Sequence, residues 1–79
     1  MEVLLFGIAK EIVGEKKLII SPEENITTVA ELKNMLKKRY PALQGLVSMA
    51  VAIDSQYAID TDSLSNAKEV ALIPPVSGG

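Results

Sequence analysis

The sequence predicts an α+β roll, in which a mixed sheet of about five strands carries one main helix on one face. Short apolar and partly β-branched runs occur near both ends of the chain and again in its second half. One strongly amphipathic helix pattern, which begins at Thr28, lies between them. The 79 residues are 48% hydrophobic and 23% charged, which is typical of one globular domain and leaves no room for a second.

The first two predicted strands form an antiparallel pair. Strand patterns cover residues 3–6 and 17–21. The connection at residues 7–15 is longer than a tight hairpin turn, and the spacing within residues 9–13 allows about one helical turn.

The main helix begins with a capping box, in which Thr28 and Glu31 satisfy each other's backbone amides. Pro41 predicts that the helix ends after Tyr40. The basic residues in its last turn interact favourably with the negative end of the helix dipole. We interpret them as part of a solvent-exposed face of the helix. The predicted buried stripe consists of Val29, Leu32, Leu36 and Tyr40, with Met35 beside it.

The second half of the chain predicts three more strands. Residues 49–53 form a strand, residues 54–56 a turn, residues 57–59 a short edge strand and residues 69–73 the last strand. Residues 60–68 are rich in Asp, Ser, Thr and Asn and predict a loop. The first and last strands are expected to be parallel neighbours, because a helical crossover lies between them.

Strand alternation predicts an apolar patch on the open face of the sheet. Glu2, Asp54 and Glu69 are charged, and each therefore sets which side chains of its strand point outward. Exposed apolar patches are often interaction surfaces, but a small sheet also tolerates scattered apolar residues, and the two interpretations stand about even. The predicted patch contains Leu4, Phe6, Ala71 and Ile73, with Tyr57 at its margin, and Ala50 and Ala52 share that face.

Missing residue types exclude most catalytic chemistry. The chain has no Cys and no His, so it cannot supply a thiolate, an imidazole base, a Cys/His metal site or a Ser-His-Asp triad. We therefore expect no enzyme activity from the chain alone and no metal site. The net charge of −2 argues against nucleic acid as a partner. No run spans a bilayer and acidic Glu2 follows Met1, so we expect a cytoplasmic protein without membrane contact.

The C-terminal residues 74–79 predict an extended tail that leaves the domain formed by residues 1–73. Two consecutive prolines fit neither a helix nor a sheet, and the two final glycines keep the end narrow. The alternative interpretations are a frayed chain end and residues left over from an expression vector. A free α-carboxyl has a pKa of about 3.3–3.7, so the terminal carboxylate needs activation before it can be attacked. Activation must come from an ATP-using partner, because the chain lacks catalytic side chains.

These features resemble the ubiquitin-like MoaD/ThiS family of sulfur carriers, and within it the small subunits of molybdopterin synthase. The resemblance covers the whole chain and rests on residues 5–14, the capped helix, residues 51–54 and above all the ending at residues 69–79. It implies a β-grasp roll. This chain departs from the family pattern at residues 66–69, where a Gly-Asp-Glu turn is usual, and at Gly7, where an aromatic residue is frequent.

The resemblance implies that Gly79 carries sulfur. In that family a ubiquitin-activating-type (MoeB-like) enzyme uses ATP to form a glycyl adenylate, and a sulfur donor converts it to a thiocarboxylate, 1-thioglycine. The terminus then enters a MoaE-like large subunit and gives sulfur to cyclic pyranopterin monophosphate, which makes the dithiolene of molybdopterin. The chain would thus be the sulfur-donating subunit of a two-subunit sulfurtransferase, with no permanently bound cofactor.

The same resemblance implies a set of partner-binding residues. Gly78 and Ser77 would thread the partner, and Phe6, Tyr57 and Ile73 match apolar interface positions. The implied partner-binding residues are Phe6, Tyr57, Ile73, Pro74, Pro75, Val76, Ser77 and Gly78. Three alternatives stay open: a ThiS-like carrier for thiazole synthesis, a ubiquitin-like protein modifier that forms isopeptide bonds through Gly79, and a non-covalent binding module.

Overall fold

The computed structural model describes residues 1–45 and 49–73. The predicted strands and main helix are all present, and the connection after the first strand holds a second helix. The predicted tail at residues 74–79 lies outside the described residues. In chain order the elements are β1 (Glu2–Leu5), α1 (Gly7–Val13), β2 (Lys17–Ile19), a 3₁₀ helix (Pro22–Glu24), α2 (Val29–Arg39), a second 3₁₀ helix (Pro41–Gly45), β3 (Ala50–Ile53), β4 (Gln56–Ala58) and β5 (Val70–Ile73).

The five strands form one mixed sheet in the order β2-β1-β5-β3-β4. β1 and β5 pair in parallel, with Val3 opposite Val70 and Leu5 opposite Leu72. The other three pairs are antiparallel. The expected parallel pairing of the first and last strands is therefore confirmed.

The core lies between the sheet and α2. The helix residues Val29, Leu32 and Leu36 are fully buried, and no polar or charged residue of the described part is buried. Burying an aliphatic side chain of this size stabilises the fold by about 1.5–3 kcal/mol, so this layer supplies most of the driving force. The strand side chains that meet the helix are Val3, Leu5, Val51, Val70 and Leu72.

The start of α2 is held from two sides. Glu31 donates its amide to the Thr28 hydroxyl (3.2 Å), and its carboxylate accepts the amide of Thr28 (3.1 Å), as the capping box predicts. The first two helical amides, of Val29 and Ala30, donate to the carbonyls of Asp62 and Asp60. The loop between β4 and β5 therefore caps the helix and closes that end of the core.

Two elements near the N-terminus have bounds that differ from the sequence-based prediction. α1 spans seven residues, more than the single turn expected, and ends where Gly14 adopts φ 87° and donates its amide to the Lys10 carbonyl. β2 ends at Ile19, two residues early, because Ser21 caps the following 3₁₀ helix together with Glu24. A glycine cap thus ends α1, and side-chain capping of the following 3₁₀ helix ends β2.

Asp54 sets the start of β5. Its carboxylate accepts the amides of Lys68 (3.0 Å) and Glu69 (2.7 Å). β5 therefore begins at Val70, one residue later than predicted. The β3–β4 hairpin turn places Asp54 and Ser55 at positive φ (49° and 71°), which lets Asp54 lie next to the β5 strand.

The remaining bounds differ by one residue. β1 ends at Leu5, because Phe6 is the N-cap of α1. β4 ends at Ala58, because the Ile59 amide donates to the Asp62 carboxylate. α2 ends at Arg39, and Tyr40 is its C-cap.

The carboxylate of Glu31 predicts acid sensitivity. Hydrogen bonds from the Thr27 side chain and from the Thr27 and Thr28 amides lower the pKa of Glu31 below its ordinary value of 4.5. The ionised form is therefore favoured in the folded state, so its contribution is present above pH 4.5 and is lost as the pH falls through the lowered pKa. We expect Glu31→Gln to be less stable than wild type at pH 7 and to lose less stability on acidification. Urea unfolding at several pH values measures the stability at pH 7 and its loss on acidification.

Glu11→Gln is the matched control, because Glu11 is exposed and makes no side-chain hydrogen bond within the described residues. Its unfolding curve should follow that of wild type at each pH. An unchanged acid dependence in Glu31→Gln would show that this cap is not the acid-sensitive group.

Candidate partner-binding surface

The open face of the sheet carries a row of side chains that crosses four strands. Leu4 pairs with Ala71, Ala71 with Ala52, and Ala52 with Tyr57. Because paired residues point to the same side of a sheet, these four side chains share the face opposite α2. Ala52 and Ala71 are buried, yet they lie outside the core cluster against the helix, which confirms the predicted strand phase.

The large apolar side chains of this face are exposed to different degrees. Phe6 is 50% exposed and Tyr57 is 76% exposed. Leu4 and Ile73 are half-buried. The predicted patch is thus present as a floor of small residues in the central strands with larger exposed side chains on both sides. We call Leu4, Phe6, Tyr57, Ala71 and Ile73 the open-face patch.

The tail-proximal end of the patch is formed by Phe6 and Ile73. Phe6 is extended (φ −130°, ψ 157°) and follows Leu5, which pairs with Leu72, so it lies one step farther along β1 beside Ile73. Ile73 pairs with Ala50 on its other side. Two of the three predicted interface residues therefore flank the point at which the chain continues into the tail.

The patch extends beyond the predicted residues at the β2 edge of the sheet. Ile19 in β2 pairs with Glu2, so its side chain lies on the open face, and it is 61% exposed. Alternation from Lys17 could have placed this side chain there. Sequence reasoning missed it because it assigned no phase to the second strand.

The tail carries the remaining predicted site residues. Residues 74–79, among them the predicted threading residues Ser77 and Gly78 and the predicted sulfur bearer Gly79, lie outside the described residues and stay predictions. β5 ends at Ile73, so six residues follow, and their maximum extended length is about 20 Å. Any protein that acts on Gly79 must come within that distance of Ile73.

The described residues contain neither a metal-binding cluster nor a membrane-spanning helix. Across residues 1–45 and 49–73, no group of three or more His, Cys, Asp or Glu residues is arranged to hold a metal ion. None of the helices in these ranges has the length and apolar character needed to cross a membrane. Separately, the large side chains Phe6 and Tyr57 of the open-face patch are exposed, so this face is suited to apolar contact with a protein.

Known proteins resemble this chain along nearly its whole length. The model of the ThiS family matches residues 3–79. The molybdopterin synthase sulfur carrier subunit of Caenorhabditis elegans is 40% identical over 83 aligned positions, which cover 100% of this chain and 96% of the relative. The protein of the same name from Arabidopsis thaliana is 34% identical, with 100% and 82% coverage.

Solved structures have the same fold. The solution structure of small archaeal modifier protein 1 from Methanosarcina acetivorans has a TM-score of 0.76 and 25% identity, and the match covers 99% of this chain and 94% of that chain. A putative molybdopterin converting factor subunit from Pyrococcus furiosus has a TM-score of 0.76 at 22% identity, with 95% coverage of both chains. The expected ubiquitin-like β-grasp roll is therefore confirmed.

Truncating a side chain should affect stability strongly on one face of the sheet and little on the other. Leu72→Ala should lower the free energy of unfolding by about 2–5 kcal/mol, because Leu72 is fully buried against α2. Tyr57→Ala should change it by no more than about 0.5 kcal/mol, because Tyr57 is largely exposed on the other face. Denaturant unfolding of both variants measures the difference, and equal losses would show that the faces are assigned wrongly.

Proposed function

Because the chain belongs to the ThiS family, we propose that it is the sulfur carrier subunit of a molybdopterin synthase and that Gly79 bears the sulfur. The observation that carries this proposal is the match along the whole chain, including its end, to relatives with that name that are 31–40% identical. The chain covers 82–96% of these relatives, so the likeness extends over most of their length. On this proposal the chain performs no catalysis alone.

The chemistry proceeds at the terminal carboxyl. In an adenylating partner, a carboxylate oxygen of Gly79 attacks the α-phosphorus of ATP, pyrophosphate leaves, and a glycyl adenylate forms. Hydrosulfide (HS⁻) supplied by a donor then attacks the carbonyl carbon, AMP leaves with the electron pair of the broken C–O bond, and the sulfur releases its proton to solvent. The product is a thiocarboxylate. The chain has no Cys, so no side-chain thiol competes as the sulfur bearer.

Recognition and chemistry are separated along β5. Ala71 and Ile73 belong to the open-face patch, and the same strand continues into the tail. We propose that the patch docks on a MoeB-like adenylating enzyme and later on a MoaE-like large subunit. The tail reaches each partner's active site, and in the large subunit its sulfur passes to cyclic pyranopterin monophosphate. A cytoplasmic location is part of this proposal.

A second candidate function is covalent attachment to proteins. The structural likeness to small archaeal modifier protein 1, at 25% identity and 99% coverage of this chain, favours it. The same adenylate would then be attacked by a lysine amine, which forms an isopeptide bond at Gly79. Both functions require activation of the terminal carboxyl, and they differ in the nucleophile that follows.

Intact-mass measurement distinguishes these functions. Protein expressed with its own activating enzyme and sulfur donor should contain a fraction in which one carboxyl oxygen is replaced by sulfur, and fragmentation should place the change at Gly79. Deletion of Gly79 should abolish sulfur transfer and leave the unfolding curve unchanged, because Gly79 lies beyond the last strand. Sulfur transfer by the truncated chain would contradict the proposal, and Gly79 linked to lysines of other proteins would favour the modifier.

The open-face patch predicts which substitutions weaken docking. Phe6→Asp and Ile73→Asp should each weaken binding to the large subunit about tenfold or more, because apolar residues at the centre of an interface dominate its affinity. Neither side chain belongs to the core cluster against α2, so the folded state should persist. Lys38→Asp on α2 is the control, and its affinity should equal that of wild type. Titration calorimetry measures the affinity, and thermal melts of the same samples measure the stability of the fold.

A further inference from the structure

A depression with two lysines at its rim lies at the carboxyl end of β1. Its lining residues are Leu4, Leu5, Phe6, Gly7, Lys10 and Lys16. Both lysines are attached by backbone hydrogen bonds to the residues that form the floor. The Lys10 amide donates to the Phe6 carbonyl (3.3 Å), and the Leu5 amide donates to the Lys16 carbonyl (2.8 Å). The backbone positions of both lysines are therefore fixed relative to the end of β1.

The two lysines make no ion pair in the part of the chain that the structure describes. There the ion pairs join Lys17 to Glu2, Lys33 to Asp60 and Arg39 to Glu24. Lys10 and Lys16 are exposed, and the apolar side chains between them include half-exposed Phe6. A floor of apolar side chains flanked by two ammonium groups is complementary to an apolar side chain that is followed by a carboxylate.

The position of the depression identifies its occupant. β1 is the direct neighbour of β5, so the depression lies about one strand spacing, roughly 4.8 Å, from the strand that continues into the tail. Six residues with a maximum length of about 20 Å separate Ile73 from the terminal carboxyl. A protein that holds Gly79 in its active site must therefore lie within about 20 Å of this end of the sheet, which brings its surface close to the depression.

We propose that Lys10 and Lys16 form an electrostatic docking site for the large subunit that receives the tail, and that this subunit presents an acidic residue beside an apolar one. This inference rests on the proposed function. The site is continuous with the open-face patch through Leu4 and Phe6, which belong to both. The patch supplies apolar contact area, and the two lysines orient the carrier as it approaches.

Substitutions of the two lysines should affect binding kinetics differently from substitutions in the open-face patch. Charges at the rim of an interface change the association rate and its salt dependence, whereas central apolar contacts change the dissociation rate. We expect Lys10→Glu/Lys16→Glu to lower the association rate with purified molybdopterin synthase large subunit at least about tenfold at low salt. The difference from wild type should shrink at 0.5 M salt, where the screening length falls to roughly 4 Å. The dissociation rate should change little.

Lys37→Glu/Lys38→Glu is the matched control. It makes the same change in net charge, on the α2 side of the molecule instead of beside the tail. Lys10→Gln/Lys16→Gln removes the two charges without adding acidic groups and should give a smaller loss with the same salt dependence. Stopped-flow association at a series of salt concentrations, with thermal melts of every variant, provides the rates and checks the fold.

The outcomes separate the two proposals. A slower, salt-dependent association of the Lys10/Lys16 variants alone supports the site. Equal slowing by the Lys37/Lys38 control shows that net charge acts and overturns the site. Wild-type rates for the Lys10/Lys16 variants overturn it as well, while the proposed function stands because wild type still binds. Absence of binding by wild type overturns the proposed function and, with it, this inference.

Discussion

The parallel pairing of β1 with β5 is the constraint on which the rest of the molecule depends. It joins the two ends of the chain at the centre of the sheet, with Val3 opposite Val70 and Leu5 opposite Leu72, all four side chains buried. A parallel pair requires a long crossover, and everything between the two strands, including α2, serves as that crossover. The same pairing makes β5 a central strand, so the chain continues into the tail from a strand that lies between β1 and β3.

Alternation along these central strands separates stability from recognition. One face packs on Leu32 and Leu36 of α2 and supplies the apolar burial that a 79-residue domain needs. The other face keeps Phe6 and Tyr57 exposed, although exposing large apolar side chains contributes nothing to the folded state. Neighbouring residues of one strand point to opposite faces of the sheet. The open-face patch can therefore change without loss of the core, and the core can be repacked without change of the open-face patch.

Hydrogen bonds at the ends of loops hold the strands of the open-face patch in place. Asp54, at positive φ in the hairpin turn, accepts two amides at the start of β5 and thereby fixes the strand that leads to the tail. The Thr28 and Glu31 pair, with the carbonyls of Asp60 and Asp62, anchors the loop before β5 to α2. Polar groups of the described residues thus position the elements, while the reactive group of the proposed function lies at the end of the tail.

The sequence by itself determined the fold class, the strand phase and the chemistry available to the chain. A capping box, alternating strands and the absence of Cys and His are local or compositional properties, and each was sufficient for its inference. The tertiary structure decided what depends on residues distant in the sequence. Glu69 is excluded from β5 because it donates its amide to Asp54, fifteen residues away, and Ile19 extends the open face because β2 pairs with β1, which places Glu2 opposite Ile19. Lys10 and Lys16 line one depression because α1 begins directly after β1 and because the Lys16 carbonyl accepts the amide of Leu5, a contact that no periodicity in the sequence reveals.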